Sequence, residues 1–166
     1  ILNDDDVVSI TDFSNTEIVV EGANFMPHMV NFHVVRTGSL DGESTVHWQV
    51  TAANGNNNGS GDFLTQDGFV IDSSVYNGTV TFVDGQSYRD VSIMINPDHV
   101  SEGDEVFNFA LVNPGSGSTV SSEAGTRQFI VQNDDFDQIS VAANLSSQPE
   151  GNTGLDGAYK NYSFTL

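Results

Sequence analysis

The stretch EVFNFALVNPG, residues 105–115, carries the pattern that decides the fold. Phe107, Phe109 and Leu111 alternate with smaller or polar residues, and the turn signal Asn113-Pro114-Gly115 follows at once. Alternation with a period of two places one row of apolar side chains on a single face of a β-strand, and Asn, Pro and Gly punctuate its end. The stretch therefore predicts a strand with one buried face.

The same alternation recurs on both sides of this stretch, with Asp41-Gly42 and Asp84-Gly85 as turn signals between runs. The alternating apolar residues of the other runs are Ile18 and Val20; Val30, Phe32 and Val34; Val46, Trp48 and Val50; Val80 and Phe82; Val91, Ile93 and Ile95; and Phe129 and Val131. No segment sustains the 3.6-residue period of a helix. About seven short strands of this kind predict an all-β protein, an antiparallel, immunoglobulin-like β-sandwich.

The strongly negative charge of the chain excludes some classes of binding partner. The 166 residues contain 4 Lys and Arg against 23 Asp and Glu, which gives a formal net charge of −19. Four cations cannot form the basic face that nucleic acids require, and no apolar run is long enough to insert into a membrane. Cys is absent, so packing or a metal ion must stabilise the chain in place of disulfides.

An internal repeat suggests how the chain is divided. Residues 1–6 (ILNDDD) resemble residues 130–135 (IVQNDD), and Glu21-Gly22 recurs 129 residues later as Glu150-Gly151. A period of about 130 residues is typical of tandem domains rather than of a solenoid. The repeat predicts the end of a preceding repeat in residues 1–6, one complete domain in residues 7–135, and the first strands of a following repeat in residues 136–166.

Acidic residues concentrate where strands are predicted to end. Glu21 closes an early strand, Asp62 follows the Gly- and Asn-rich loop 54–61, and the connection 96–104 is rich in carboxylates. Antiparallel strands bring alternate connections to the same end of a sandwich, so this connection and the end of the last strand should share one pole. Carboxylates crowded there would repel one another, and Ca²⁺, which accepts six to eight oxygens, would remove that repulsion.

In the order and spacing of many short marks, residues 7–135 resemble the Calx-β domains. These are tandem sandwich modules of sodium/calcium exchangers and of large extracellular adhesion proteins. The matching marks are Val20-Glu21-Gly22, Val34-Val35-Arg36-Thr37-Gly38, Gly61-Asp62-Phe63, Gly78-Thr79-Val80-Thr81-Phe82, Glu102-Gly103-Asp104-Glu105, Phe107-Asn108-Phe109-Ala110-Leu111 and Asn133-Asp134-Asp135.

The resemblance implies a set of calcium ligands. Carried over by position, they are Glu21, Asp62, Asp98, Glu102, Glu105, Asp134 and Asp135. The chain departs from calcium-rich members at two positions, because Pro97 offers no side-chain ligand and Asn133 retains an oxygen without the charge. One or two ions are therefore expected. By the repeat, Asp4, Asp5 and Asp6 should serve the preceding domain, and Glu150 the following one.

These features predict a calcium-stiffened structural repeat of a long extracellular or cell-surface protein, in an adhesin-like stalk or a filament, with neighbouring repeats as partners. Alternatives remain open. One alternative is that the loop 54–61 or the connection 65–77 recognises a glycan or a protein, and another is that the tail adds a strand to an identical chain. An intracellular calcium sensor is a further alternative. No GxSxG elbow or Ser-His-Asp spacing occurs, so no enzyme activity is expected.

Overall fold

A computed structural model describes residues 5–11, 17–22, 26–53, 61–71, 75–135, 142–143 and 164–165. The chain divides into two compact units, Ile1–Asp135 and Phe136–Leu166. Within the described residues every regular element is a β-strand, and no helix there is long and apolar enough to cross a membrane. The Gly- and Asn-rich loop lies outside these residues except for Gly61.

Twelve strands are assigned in the part of the chain that the structure describes. Those of the first unit are β1 (Asp6–Thr11), β2 (Glu17–Val20), β3 (Met29–Thr37), β4 (Ser44–Ala52), β5 (Phe63–Leu64), β6 (Val75–Phe82), β7 (Tyr88–Ile95), β8 (Glu105–Val112), β9 (Ser118–Val120) and β10 (Thr126–Gln132). The second unit contributes β11 (Ala142–Ala143) and β12 (Phe164–Thr165), an antiparallel pair. In the first unit the strands form two five-stranded sheets, with the orders β5-β7-β3-β1-β9 and β2-β10-β8-β4-β6.

Alternating apolar side chains from both sheets meet in one core, which confirms the predicted sandwich. Phe32 of β3 and Phe109 of β8 stack across the two layers with their ring centroids 3.9 Å apart. Trp48 stacks on Phe109 from β4, and Phe129 of β10 meets Phe32 edge-on. Aromatic pairs of this kind add to the stabilisation from burying their area. Residues 105–115, through Phe109, therefore supply the centre of the core.

Two edge pairs differ from the wholly antiparallel arrangement that the strand pattern predicted. β1 pairs with β9, and β2 pairs with β10, in parallel, while the other pairs of both sheets are antiparallel. The first segment of the unit gives β1 to one sheet and β2 to the other, and the last segment gives β9 and β10 in the same way. The two segments run in the same direction, so β1 with β9 and β2 with β10 form parallel pairs. This division, together with the two-residue β5, is why the unit has ten strands where about seven were expected.

The predicted inward face of β2 is wrong. Ile18 and Val20 are 61% and 39% exposed, whereas Val19 between them packs against the core. The parallel register with β10, which aligns Ile18 with Ile130 and Val19 with Val131, decides which side of β2 faces inward. Val131 is buried in the core, so its partner Val19 takes the same face.

Candidate metal centre

The ends of five strands place the acidic residues at one pole of the first unit. β2, β7 and β10 end there, and β5 and β8 begin there. Backbone hydrogen bonds fix these ends to one another: the N–H of Glu21 donates to the carbonyl of Gln132 at 2.9 Å, and the N–H of Asn96 donates to the carbonyl of Asp62 at 2.9 Å. The connection after β7 and the end of β10 therefore share this pole, as the strand order predicted.

One cluster of three carboxylates, named here the Glu21 cluster, consists of Glu21, Asp98 and Asp135. One oxygen from each residue lies within 4.8 Å of the other two. The N–H of Asp98 donates to Oε1 of Glu21 at 3.2 Å, and Oδ1 of Asp98 accepts the N–H of Val100 at 2.8 Å. Glu21 is only 8% exposed. The cluster therefore joins residues 21, 98 and 135 through defined contacts.

A second cluster, named the Asp62 cluster, consists of Asp62, Glu102 and Glu105. Its carboxylate oxygens also lie within 4.8 Å of one another. Asn96 holds the backbone on either side of the Asp62 Cα. Its backbone N–H donates to the Asp62 carbonyl, and its Nδ2 donates to the carbonyl of Gly61 at 2.7 Å. Side chains of both clusters line one small cavity of about 10 Å³, which is room for a single water-sized guest.

The crowding raises the pKa of Glu21. Burial is the largest cause, and the negative charges of Asp98, Asp135 and Glu102 add to it, although the hydrogen bond from the Asp98 backbone opposes them. The resulting pKa is about 7, against an ordinary value of 4.5. Because Glu102 belongs to the other cluster, the two clusters interact electrostatically.

In the Asp62 cluster, Glu105 and Asp62 are both shifted upward. Burial raises the pKa of Glu105 to about 8, with further contributions from the charge of Asp62, a hydrogen bond with it, and the charges of Glu102 and Glu21. Burial also raises the pKa of Asp62 to about 6, although the hydrogen bond with Glu105 lowers it. At neutral pH the pair therefore retains a proton that a metal ion would displace.

Two carboxylate oxygens of these clusters are unsatisfied. Oδ2 of Asp62 and Oδ2 of Asp135 are buried and have no hydrogen-bond partner within the described residues. Buried polar atoms normally have a partner, and a missing one calls for an explanation such as an ion. The arginines are engaged elsewhere, with Arg36 on Asp6, Arg89 on the Thr81 carbonyl and Arg127 on the Ile10 carbonyl. A cation of another kind fits both clusters.

Asp134, Asp5 and Asp6, which were also predicted as ligands, belong to neither cluster. Asp134 lies at the same pole, where its Oδ1 accepts the N–H of Gly22 at 3.0 Å. Asp6, only 6% exposed, pairs within this unit: Nε of Arg36 donates to its Oδ2 at 2.7 Å. Asp5 precedes β1 and therefore lies at the end of the unit where Asp6 lies. Glu150 lies outside the described residues.

Asp6 therefore has a partner that the sequence did not indicate. Arg36 is 2% exposed, and its other nitrogens donate to the carbonyls of Gly42 and Asp41 at 3.0 Å each. Both residues lie where β1 begins and β3 ends, at the end of the sandwich opposite the two clusters. Oδ1 of Asp6 is buried without a hydrogen-bond partner among the described residues. In this unit Asp6 neutralises the buried charge of Arg36, whereas the repeat predicted it as a calcium ligand of a preceding domain.

Comparison with known protein families decides the kind of domain. The model of the Calx-beta domain family matches residues 4–135.

The chain belongs to the Calx-beta family.

Solved Calx structures share the fold of this Calx-beta domain. The apo-form Calx CBD1 domain aligns with a TM-score of 0.59 at 20% identity, covering 79% of this chain and 99% of that one. CBD12 from CALX1.2 gives a TM-score of 0.58 at 20% identity and covers 78% of this chain and 46% of that one. The calcium binding domain CBD12 of CALX1.1 gives a TM-score of 0.58 at 21% identity and covers 84% of this chain and 50% of that one. This chain thus spans about half the length of the two CBD12 structures.

The structure adds two residues to the site that the ligand pattern did not identify as supports. Asn133 and Asn96 line the cavity, and both use their side-chain amides to hold backbone carbonyls of the acidic segments. His99 lies beside the Glu21 cluster, with its Nδ1 3.5 Å from Oδ1 of Asp135. The sequence carries no signal for these contacts, because each partner is brought close only by the fold.

Proposed function

We propose that this Calx-beta domain is a calcium-binding structural repeat of a long extracellular or cell-surface protein. The observation that carries the proposal is the pair of carboxylate clusters at one pole, in which Asp62 and Asp135 each keep a buried oxygen without a hydrogen-bond partner among the described residues. Oxygen donors alone, without Cys and with carboxylates dominant, are the donor set of a hard cation such as Ca²⁺ rather than of Zn²⁺.

The residues that would hold calcium are the six members of the two clusters. A bound divalent cation supplies positive charge that offsets the repulsion among them. Glu21 and Glu105 would then lose the protons that burial and neighbouring charge favour at neutral pH. Extracellular modules bind calcium with dissociation constants of about 0.1–1 mM, so clusters of modest affinity are adequate outside a cell.

A stiffening role is supported by where the chain leaves the unit. Asp135 is the last residue of the first unit and also a member of the Glu21 cluster. Calcium held by Asp135 together with Glu21 and Asp98 would therefore restrain the exit segment against the body of the sandwich. In a tandem array this restraint acts at the junction with the next repeat, which would extend and space the protein as in an adhesin stalk or filament.

Thermal unfolding of residues 1–166 tests the calcium part. At free calcium about 100 times the dissociation constant, each site adds roughly 2.7 kcal/mol, or a rise in Tm of about 5–10 °C for a chain of this size. Asp62→Asn should reduce the rise. Asp67→Asn, which removes an exposed carboxylate in a turn away from the clusters, is the matched control. Identical Tm values in calcium and in chelator would remove calcium from the proposal.

Hydrogen exchange of the same chain tests the stiffening part. At labelling times too short for global unfolding, peptides that include Gln132 to Asp135 should exchange more slowly in calcium than in chelator. β4 is a central strand whose amides exchange through global unfolding, so its exchange should slow only at long times, in proportion to the rise in stability. No effect of calcium on the Gln132 to Asp135 peptides at short times would contradict a specific restraint at the exit segment.

A glycan-binding role is a second candidate, and one groove favours it. The groove has a volume of about 410 Å³ and lies where β6 and β7 face each other. Trp48 and Tyr76, in edge contact at 5.1 Å, line it together with the polar side chains of Arg89 and Asp90. Trp48 is only 8% exposed, so the half-buried ring of Tyr76 beside these polar groups is the surface on which a sugar ring would stack. A glycan array on which residues 1–166 give no signal above background would exclude this role.

A further inference from the structure

The side chain of Asn133 connects the two carboxylate clusters. Its Nδ2 donates to the carbonyl of Glu102, in the Asp62 cluster, at 2.7 Å. Its Oδ1 accepts the N–H of Asp135, in the Glu21 cluster, at 2.8 Å. We propose that Asn133 is a positioning residue that holds the two clusters in the arrangement that binds calcium, an inference that rests on the proposed function.

The orientation of this amide is determined by its neighbours. Nδ2 lies near two carbonyl oxygens, that of Glu102 and, at 3.4 Å, that of Asp135. Oδ1 lies on a backbone N–H. Exchanging the two amide atoms would place an oxygen against both carbonyls and an N–H against an N–H, so only the present orientation satisfies all three contacts.

The contacts also explain why an amide rather than a carboxylate is suited to this position. Aspartate at 133 could still accept the N–H of Asp135, but its second oxygen would lie against the Glu102 carbonyl with no proton to donate. The connection 96–104 would lose its tie to the end of β10. Asn133 thus contributes to calcium binding as a hydrogen-bond donor, and its missing charge is compatible with the site.

A positioning role and a charge role predict opposite effects of one substitution. If charge alone governed affinity, Asn133→Asp would add a further carboxylate at the pole and tighten calcium binding. Loss of the hydrogen bond to Glu102 and loss of alignment between the clusters should instead weaken binding about fivefold, since a hydrogen bond of this type contributes about 0.5–1.5 kcal/mol.

The experiment measures calcium affinity by calorimetry, and Tm in calcium and in chelator, for residues 1–166. Asn133→Asp removes the donor and adds a charge. Asn133→Ser adds no charge and replaces the amide with a shorter side chain, whose single hydroxyl cannot reach the Glu102 carbonyl while it accepts the N–H of Asp135. Asn113→Asp is the matched control, because Asn113 is exposed at the far end of β8 with a φ of 46°, a conformation that Asp also tolerates.

Positioning predicts that both Asn133 variants bind calcium about fivefold more weakly and show a smaller calcium-dependent rise in Tm, while Asn113→Asp binds like the parent. Tighter or equal binding by Asn133→Asp overturns the inference and leaves the proposed function intact. An equal loss of Tm in calcium and in chelator, with affinity unchanged, also overturns it, because the role would then be structural. If Asn133→Asp does not fold, Asn133→Ser decides. A parent chain that binds no calcium overturns both proposals.

Discussion

At the scale of single residues, the acidic pole combines predictable ligands with supports that only the fold reveals. Glu21, Asp62 and Asp98 follow from strand ends and from the family pattern, since a carboxylate beside a strand end is visible in the sequence. The role of Asn133 is not visible there, because its partner Glu102 lies 31 residues away and the direction of the bond depends on the meeting of β8 and β10.

Glu105 supplies a prediction that separates metal binding from folding. Its pKa is raised to about 8 chiefly by burial, so its ionised form destabilises the folded chain without metal. Glu105 lines the cavity together with Asp62 and Asn96, and a neutral amide in its place removes its repulsion with Asp62. Glu105→Gln should therefore raise Tm in chelator at pH 8 and reduce the rise that calcium produces. Differential scanning calorimetry measures both values.

The control for Glu105 is Glu43→Gln, which removes one charge from an exposed side chain in the turn before β4. This variant should leave both the chelator Tm and the calcium-dependent rise close to those of the parent. If Glu105→Gln lowered Tm in chelator, repulsion at the pole would be too weak to support the account of the site.

Arg36 gives a prediction about the opposite end of the unit. Arg36→Ala leaves the buried carboxylate of Asp6 without its cation, and breaking a buried pair on one side typically costs about 3–5 kcal/mol. The free energy of unfolding, measured with urea in chelator, should fall by that amount. The increment in stability from calcium should stay unchanged, because the pair lies at the far end of β3.

Arg89→Ala is the comparison for Arg36, since Arg89 donates to the Thr81 carbonyl from an exposed position. Its effect on unfolding should be within about 0.5 kcal/mol, as for most surface substitutions. A loss of calcium response in Arg36→Ala would contradict the separation between the two ends of the sandwich.

At the scale of elements, alternation identified the buried faces of the central strands and of the edge strand β6, but it failed for the edge strand β2. The pattern in β3, β4, β7 and β8 predicts their buried faces correctly because each has a neighbour on both sides and one face on the core. β2 is an edge strand of four residues, and its inward face depends on a parallel register with β10 that alternation does not encode.

The exposure of β2 yields a paired substitution. Ile18→Ala should change the free energy of unfolding by less than about 0.5 kcal/mol, because Ile18 is largely in solvent. Ile93→Ala, in the core of β7, should cost about 2–5 kcal/mol from lost burial and the cavity left behind. Urea unfolding in calcium compares the two. Similar losses would place Ile18 in the core and contradict the parallel register.

At the scale of the whole molecule, the net charge of −19 predicts an acidic surface but not its distribution. The repeat predicted a domain boundary after residue 135, and the first compact unit ends at Asp135. The strand β1 begins at Asp6, a residue that the repeat assigned to the preceding domain. Similarity over a whole period cannot decide a boundary to the residue, because it aligns residues 1–6 with residues 130–135 without showing which strand each segment joins.

The pole gives the stability of the chain a defined pH dependence. The pKa values of Glu21, Asp62 and Glu105 are raised in the folded chain to about 7, 6 and 8, above ordinary values of 4.5, 3.8 and 4.5. The folded state therefore binds more protons than the unfolded state between about pH 4 and pH 8, and stability falls as pH rises through this window. In chelator, Tm should decrease across it, and saturating calcium should reduce or reverse the decrease. A chelator Tm that rises from pH 5 to pH 8 would contradict these shifts.

Calorimetric titration of calcium into residues 1–166 at pH 7.5 shows whether the two clusters bind calcium. We expect saturable binding of one or two ions, with dissociation constants of about 0.1–1 mM or tighter. We also expect proton release, seen as a dependence of the heat on the buffer, and no saturable heat for the Asp62→Asn, Asp135→Asn double variant. The absence of saturable heat in the parent chain, or equal binding by the double variant, would show that the two clusters are not a calcium site.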